Sequence, residues 1–562
     1  MKKIYFLLLL YSSYSISQIP NWEWAKSFNV VNTLYSRYMS SDNNGNVYLY
    51  GDFKTPTITI DSYTLTNNSL ANRNDVYIAK FDTNGNVQWA RNFGSTGWDH
   101  PSTMQTDAFG NTYISGSFES TITFDSITLF QSNGSNFLVK LDTNGNVEFA
   151  RNIQDSNEML TVTSIQIAAS GNIYLTGIFN SQYITLDSIQ LEFENYTSFS
   201  STPYFYRTFI SKLDNNGNFI WAKAIQSTSD NYMGITSRSL GIDGDENVIV
   251  GGYMGAHNAT IGSITFNKTN SYTYSSNLFV LKLNSSGVEQ WGFNTGSIYE
   301  NNNSAETIAV ASDGSIYASG YITNTVNFGA ITVSSSGGSN LYTVKFNPNG
   351  TVSWVKNASG TAGFGVIRSS DTDASGNLYV TGHFMNSSLN FGNGIILTNN
   401  QEGQLFVVKY NSSGTPLWGR KAGDLNANAV AHIKVFNPNE IYVAGIFDNP
   451  TMVFGTNTVN EVLPNTWNLF LAKLFYQDPL SNENFQSKDF KIYPNPADDF
   501  ITIASDKNIN SVIIINSLGQ VIDNVSINNF SKQIDIKNLK SGYYILKIKS
   551  ESEIYTLPFL KK

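Results

Sequence analysis

The chain has 562 residues, of which 14% are charged, and its 34 basic and 43 acidic residues give a net charge of −9. This acidic balance, without a basic cluster, argues against nucleic-acid binding. Cysteine is absent and the four histidines, His100, His257, His383 and His432, are scattered, so thiolate metal centres are excluded and a histidine-based centre is disfavoured. The many Gly, Asn, Ser, Thr and Tyr residues indicate strands joined by tight turns.

Residues 1–17 are predicted to be a secretory signal peptide. Two lysines precede an apolar run from Ile4 to Tyr11, and small residues lead to a cleavage site before Gln18. No later apolar run approaches the roughly 20 residues that a membrane span requires. The sequence therefore predicts an exported protein without a transmembrane span.

Two markers recur along residues 18–474. The first, Tyr-x-x-Gly-x-aromatic with some degraded copies, occurs seven times at intervals of 61 to 75 residues. Its glycines are Gly51, Gly116, Gly177, Gly252, Gly320, Gly382 and Gly445. The second is a turn glycine followed four residues later by an aromatic residue, and it occurs six times. Its pairs are Gly85–Trp89, Gly145–Phe149, Gly217–Trp221, Gly287–Trp291, Gly350–Trp354 and Gly414–Trp418. The missing seventh aromatic is found near the N-terminus, at Trp24 in "NWEWAKSF".

Seven copies of the first marker, on inner strands, and seven outer aromatic residues, six from the second marker plus Trp24, predict a seven-bladed β-propeller. Units of four strands cannot bury both faces alone, so they pack radially around an axis. If the strand at Trp24 supplies the outermost strand of the last blade, the ring closes and an exposed edge disappears. The units resemble SBBP-type propeller repeats of exported bacterial proteins, a resemblance that implies a fold and little chemistry. The fourth unit departs from the pattern, with Glu246 in place of a turn glycine and Ile249 in place of tyrosine.

The turn preceding each outer aromatic has three interpretations: a calcium loop, a sugar-binding platform or a structural hairpin. Asp82, Asp142 and Asp214 begin the first three copies and are the weak candidates for a metal, with calcium as the one cofactor considered. Later copies replace the acid by asparagine while the glycine persists, which favours a hairpin that needs positive φ. The constant spacing of the aromatic residue favours packing between blades over sugar stacking.

Residues that do not repeat are better candidates for function. Insertions at residues 194–209 and 267–277 carry the candidate ligand-binding tyrosines Tyr196, Tyr204, Tyr206, Tyr272 and Tyr274. Five further side chains fall on predicted innermost strands, where they either bind a ligand in the central channel or are merely solvated. They are Arg238, Glu306, Arg368, His432 and Lys434.

No catalytic residue is predicted. His100 follows Asp99 in an apparent loop, and His383 lies inside a repeated strand signature, where it fills a strand face.

A different unit follows a polar linker at residues 475–489. Residues 490–562 contain short alternating strands and predict a small Ig-like β-sandwich. This segment resembles the type A sorting domain of the Bacteroidota type IX secretion system. The matching residues are Tyr493, Pro494, Asn495, Pro496, Gly519, Gly542 and Tyr544. The resemblance implies recognition by the outer-membrane translocon, followed by removal of the domain by a sortase-like peptidase and either release or attachment to surface lipopolysaccharide. The alternative is an accessory domain that binds carbohydrate.

The sequence thus predicts a secreted or cell-surface interaction or adhesion module with a glycan or protein ligand. The alternatives are a propeller hydrolase or lyase acting on polysaccharide, and a structural surface or gliding-associated protein.

Overall fold

The computed structural model describes most of the chain, in two compact units, Met1–Tyr476 and Gln477–Lys562. The described residues are 19–28, 38–69, 73–130, 135–154, 160–192, 206–227, 234–268, 275–295, 302–360, 365–385, 387–399, 403–425, 431–447, 450–461, 467–476, 490–516, 520–550 and 553–562. Across these residues every regular element is a β-strand. The predicted all-β fold is confirmed.

The first unit contains seven groups of four antiparallel strands, called sheets 1 to 7 in chain order. Six are separate four-stranded sheets, whereas the fourth strand of sheet 5 also pairs with the hairpin strand Ser388–Gly392. The strands of sheets 1 to 3 are Tyr38–Ser41, Val47–Phe53, Asp75–Phe81 and Val87–Phe93; Asp99–Thr106, Thr112–Phe118, Ser135–Leu141 and Val147–Asn152; and Leu160–Ile167, Ile173–Phe179, Arg207–Leu213 and Phe219–Ala224. Those of sheets 4 and 5 are Ile235–Ile242, Val248–Met254, Asn277–Leu283 and Glu289–Asn294; and Ser304–Val310, Ile316–Phe328, Ile331–Phe346 and Val352–Gly360. Those of sheets 6 and 7 are Gly365–Thr372, Leu378–Phe384, Gly403–Tyr410 and Pro416–Leu425; and Ala431–Asn437, Glu440–Phe447, Asn468–Phe475 and Asn21–Phe28.

A small hairpin separates the second and third strands of each sheet. In sheet 5 it is formed by the ends of the two long strands, where Thr325–Phe328 pairs with Ile331–Ser334. The separate hairpins are Thr57–Ile60 with Tyr63–Thr66, Thr121–Phe124 with Ile127–Phe130, Tyr183–Leu186 with Ile189–Glu192, Asn258–Ile261 with Ile264–Asn267, Ser388–Gly392 with Ile395–Thr398, and Thr451–Phe454 with Asn457–Asn460. A two-residue strand, Gln226–Ser227, joins the fourth of these.

The first strands of the seven sheets form a ring. Each contacts the first strand of the next sheet, and the first strand of sheet 7 contacts that of sheet 1. Serine hydroxyls connect neighbouring first strands: Ser164 accepts a hydrogen bond from Leu240 N–H at 3.1 Å, and Ser239 accepts one from Ile308 N–H at 3.0 Å. The first strands are therefore the innermost ones, as expected of a propeller.

The last sheet is completed by the N-terminal strand. Asn21–Phe28 pairs antiparallel with Asn468–Phe475, with Ala25 opposite Ala472. Trp22 is buried, packs edge-on against Phe454 with ring centroids 4.9 Å apart, and donates from Nε1 to the Lys421 carbonyl. The expected closing strand is present, and it covers the edge that Asn468–Phe475 would otherwise expose.

The recurring turn at Asp82 has the geometry of a hairpin. Gly85 has φ +71°, and its N–H donates to the Asp82 carbonyl at 2.9 Å. The Asp82 side chain accepts from the backbone N–H groups of Asn84 and Asn86 at 2.9 and 2.8 Å, so it closes the turn locally. In sheet 4 the deviating Glu246 adopts φ +59° in a turn of the same kind, with its N–H on the Asp243 carbonyl.

The outer aromatic residues pack between neighbouring sheets. A Cβ on Gly145 would lie 3.1 Å from the Trp89 ring, and Trp89 Nε1 donates to the Thr143 carbonyl in the same turn. Two residues after the aromatic, Arg91 donates to the Gly145 carbonyl and pairs with Asp125. The "WAR" motif therefore connects one sheet to the next. Trp24 makes the equivalent contact with Gly85, between sheet 7 and sheet 1.

The second unit consists of five strands around its own apolar core. They are Phe490–Tyr493, Phe500–Asn516, Val521–Asp535, Gly542–Ser550 and Glu553–Lys561. All five belong to one hydrogen-bonded sheet, because the long strand Phe500–Asn516 pairs with Phe490–Tyr493 along its first part and with Gly542–Ser550 along its second. The Ig-like two-layer arrangement stays a prediction.

Candidate functional site

Five of the seven innermost strands carry a β-bulge near their start. The register shifts place one extra residue in each strand, and these residues are Ser102, Thr163, Arg238, Glu306 and Arg368. A bulge leaves its extra residue outside the regular ladder and redirects its side chain. In sheets 4, 5 and 6 the bulged residue is charged, so three ionisable side chains stand at the same level of three successive inner strands.

These three side chains form a cluster with two tyrosines. Arg238 Nε lies 4.0 Å from Glu306 Oε1, and its guanidinium lies 5.3 Å from the centroid of the Tyr253 ring. Burial raises the pKa of Tyr321 to about 12, and the nearby charge of Glu306 adds to this rise. Burial lowers the pKa of the Arg368 guanidinium, with a favourable field from Glu306 and an opposing one from Arg238. We call these five residues the inner arginine cluster.

The two arginines of the cluster are unusual in their hydrogen bonding. Of the seven described arginines, five donate hydrogen bonds within the described chain: Arg73, Arg91, Arg151, Arg207 and Arg420. Arg238 and Arg368 donate none to any described residue, and Arg368 Nε is buried there without an acceptor. Since a guanidinium carries five N–H donors, the cluster presents an excess of positive charge and unused donors.

The remaining two predicted inner-strand residues lie on sheet 7. Lys434 Nζ is 3.9 Å from Asp371 Oδ2 of sheet 6, and the His432 ring is 5.7 Å from that of Tyr38. Asp371 Oδ2 also accepts the backbone N–H of Val435 at 2.9 Å. Lys434 thus has a nearby counter-charge within the ring.

The cluster lies near the end of the ring at which the first and third strands of every sheet begin, here called the upper face. Tyr206 directly precedes a third strand there and accepts, through its carbonyl, the N–H of Ile235 at the start of the next inner strand. The third strands that follow the two tyrosine-bearing insertions, Arg207–Leu213 and Asn277–Leu283, begin at this same face. The other insertion tyrosines, Tyr196, Tyr204, Tyr272 and Tyr274, lie outside the described residues.

The candidate metal ligands Asp82, Asp142 and Asp214 stand in three separate turns. Although burial opposes ionisation, hydrogen bonds from Asn86 hold the pKa of Asp82 below its ordinary value, and Asn146 and Asn218 do the same for Asp142 and Asp214. Among the described residues, no group of three or more His, Cys, Asp or Glu is arranged to hold a metal ion. Each of the three carboxylates accepts hydrogen bonds within its own turn.

A cluster of buried acids at the seam between sheets 1 and 2 was missed by the sequence analysis. Asp75 and Asp99 are both fully buried, and each has one Oδ1 atom without a described partner. Burial raises the pKa of Asp75 to about 6 and that of Asp99 to about 7, the latter increased further by Asp75. Asp52 is 1% exposed, and its Oδ2 lies 3.6 Å from His100 Nδ1. Because Asp75 and Asp99 have no accessible surface, they affect stability and do not contact a ligand directly.

The histidines named in the sequence analysis occupy different environments. His100 lies on the first strand of sheet 2 and not in the expected loop; it is 46% exposed and stacks on Trp98, with ring centroids 5.7 Å apart. His383 is 1% exposed on the second strand of sheet 6.

Replacing Asp99 by asparagine is expected to stabilise the protein above neutral pH. A free aspartate ionises near pH 4, whereas buried Asp99 stays protonated up to about pH 7, so folding stability falls as pH rises across this window. Asparagine keeps an acceptor for the Ser95 N–H and cannot ionise. We expect a gain of about 1–3 kcal/mol in unfolding free energy at pH 8 and little change at pH 4, measured by urea denaturation.

The matched control is Asp82→Asn, which removes an acid whose pKa is lowered instead of raised. This variant is expected to give no gain at pH 8. Equal destabilisation by Asp99→Asn at both pH values would contradict the role assigned to burial.

The sorting-motif residues are found in the second unit. Tyr493 is half exposed, Asn495 Oδ1 accepts the Leu560 N–H at 2.9 Å, and the peptide bonds before Pro494 and Pro496 are cis. Tyr544 is buried, stacks on Phe559 and donates its hydroxyl to the Lys540 carbonyl at 2.9 Å. Gly542 begins the fourth strand, and Gly519 lies outside the described residues.

Residues 491–562 match the family described as the secretion system C-terminal sorting domain. They are a sorting domain. The protein is therefore exported, to the cell surface or beyond it, and its sorting domain is handled by the type IX secretion machinery. Within the described part of the chain, no helix has the length and hydropathy to cross a membrane.

Similarity to other proteins is low or local. The chain is 22% identical over 526 residues to the WD repeat-containing protein L264 of Acanthamoeba polyphaga mimivirus, covering 77% of this chain and 36% of that protein. It is 34% identical over 97 residues to beta-agarase A of Zobellia galactanivorans, which is 17% of each chain. The chain thus spans about a third or less of the length of these relatives.

Two solved structures with similar chains have TM-scores below 0.5. A protein of unknown function from Dyadobacter fermentans has a TM-score of 0.38 and 10% identity, covering 66% of this chain and 94% of that one. PorZ of Porphyromonas gingivalis, a surface component of the type IX secretion system, has a TM-score of 0.25 and 9% identity, covering 93% and 81%.

Proposed function

We propose that this protein is a secreted or surface-displayed interaction module whose propeller binds a glycan or protein ligand at the upper face. The observation that carries the proposal is the inner arginine cluster, whose donors are unused within the described chain. Structural polar groups in a folded protein are normally paired, and a group left with free donors at an accessible surface is suited to a ligand. Arg238 is 46% exposed, so a ligand can reach it from solvent.

The repeated residues do not compete for this role. Trp89 and Arg91 are engaged with the next sheet, and Asp82 is engaged in its own turn. In propellers, ligands are typically bound by residues that differ between the repeats, whereas the repeated residues pack the sheets together. The proposed arrangement along the chain is a signal peptide at 1–17, the propeller at 18–474, a linker at 475–489 and the sorting domain at 490–562.

The test is a binding screen with the purified full-length protein on arrays of glycans and of purified extracellular proteins. We expect at least one ligand whose binding is lost in the double variant Arg238→Ala/Arg368→Ala. Arg73→Ala is the matched control, because Arg73 lies just before the third strand of sheet 1 and pairs with Glu119, which follows the second strand of sheet 2. The absence of any ligand, or a ligand whose binding is unchanged in the double variant, would contradict the proposed site.

A further inference from the structure

We infer that the inner arginine cluster binds the carboxylate of an acidic sugar, such as a uronate unit of a polysaccharide. This inference rests on the proposed function and names the chemistry of its ligand. Two guanidinium groups face one carboxylate, Glu306, which leaves one net positive charge among the three bulged side chains. Glu306 is 4.0 Å from Arg238 Nε, which is beyond hydrogen-bonding distance, so it does not use up the donors of that arginine.

Guanidinium groups are the protein donors best matched to carboxylates. Their paired N–H groups bind both oxygens at once, and such charge-assisted bonds are about twice as strong as neutral ones. Arg368 is half-buried, and its Nε has no acceptor within the described chain, so it has already lost water without gaining a partner. A bound carboxylate would supply that partner and offset the repulsion between the two arginines.

The rest of the cluster favours an acidic sugar over an acidic peptide. A uronate presents hydroxyl groups beside its carboxylate, and these need acceptors as well as donors. Glu306 supplies acceptor oxygens, and the hydroxyls of Tyr253 and Tyr321 have no hydrogen-bond partner among the described residues. An aspartate or glutamate side chain offers no hydroxyl, so it would meet Glu306 only as a like charge.

The experiment measures binding of the full-length protein to oligomers of galacturonate, glucuronate, mannuronate and guluronate by calorimetry at low salt. The matched probes are the methyl esters of the same oligomers, which keep the hydroxyls but lose the charge, and poly-L-glutamate, which keeps the charge but lacks the hydroxyls. We expect at least one uronate oligomer to bind at least tenfold more tightly than its methyl ester and than poly-L-glutamate.

Arg238→Gln and Arg368→Gln are each expected to weaken uronate binding by about 10- to 100-fold, since each removes a charge-assisted bond. The control variant Arg73→Ala is expected to change it less than twofold. Arg368→Lys should restore only part of the affinity, because an ammonium group cannot bind both carboxylate oxygens in a planar pair.

Three results would overturn the inference. Failure of the whole uronate panel, with a neutral glycan bound through the same arginines, would reject the acidic sugar and leave the interaction module standing. Poly-L-glutamate binding as tightly as the best uronate would replace the sugar by an acidic protein partner. If the arrays also yield no ligand, both the inference and the proposed function fail.

Discussion

Trp22→Ala is expected to lower the unfolding free energy by about 3–5 kcal/mol, as is typical for removing a buried tryptophan. Trp22 is 6% exposed and lies on the strand that completes sheet 7, packed against Phe454 of the neighbouring hairpin. Its loss leaves a cavity beside the closing strand, where no covalent connection holds the two ends of the ring together. Urea denaturation of the full-length protein, followed by near-ultraviolet circular dichroism, measures the change.

The matched control is Trp89→Ala, at the contact between sheets 1 and 2. That residue is only partly buried and lies where the chain is covalently continuous. We expect a smaller loss for Trp89→Ala, and we expect only Trp22→Ala to increase aggregation, because the uncovered edge of Asn468–Phe475 can pair with another molecule. Equal effects of the two substitutions on stability and aggregation would show that the closing strand contributes no more to stability than an ordinary contact between sheets.

Deletion of residues 490–562 is expected to abolish secretion and to leave the propeller in the periplasm. The sorting domain is a separate compact unit with its own apolar core. Cell fractionation and immunoblotting of the medium, outer membrane and periplasm measure the distribution. We propose that the translocon recognises this domain and that a sortase-like peptidase then removes it.

Two controls make that deletion interpretable. The full-length variant Arg73→Ala should be secreted normally, and a fluorescent protein joined to residues 475–562 behind the same signal peptide should reach the medium or the cell surface. Appearance of the truncated propeller in the medium would refute the role of the domain.

Much of the architecture could be predicted because the repeat makes the same contacts at each seam. Gly85 and Trp89 recur at fixed spacing since each turn must accept the aromatic ring of the preceding sheet, and a side chain on the glycine would collide with that ring. The displaced copy at Trp24 followed from the same rule. Glu246 looked like a break in the pattern, yet its backbone adopts the positive φ that glycine supplies elsewhere.

The site was only partly predictable. The positions of Arg238, Glu306 and Arg368 on inner strands followed from the repeat, but the bulges that bring them to one level depend on register, which their sequence does not reveal. The buried acids were missed for a related reason. Asp75 and Asp99 lie 24 residues apart in the chain on different sheets, and their burial arises from the packing of one sheet on the next.

The closing strand also determines how the propeller responds to force on its sorting domain. The chain leaves the propeller through Asn468–Phe475, which is hydrogen-bonded on one side to Glu440–Phe447 and on the other to Asn21–Phe28. A strand with neighbours on both sides must break two ladders to come free, whereas an edge strand peels away one bond at a time. A pull on the C-terminus is therefore expected to be resisted by Asn21–Phe28 as well as by Glu440–Phe447, so the resistance of the propeller to force depends in part on its first strand.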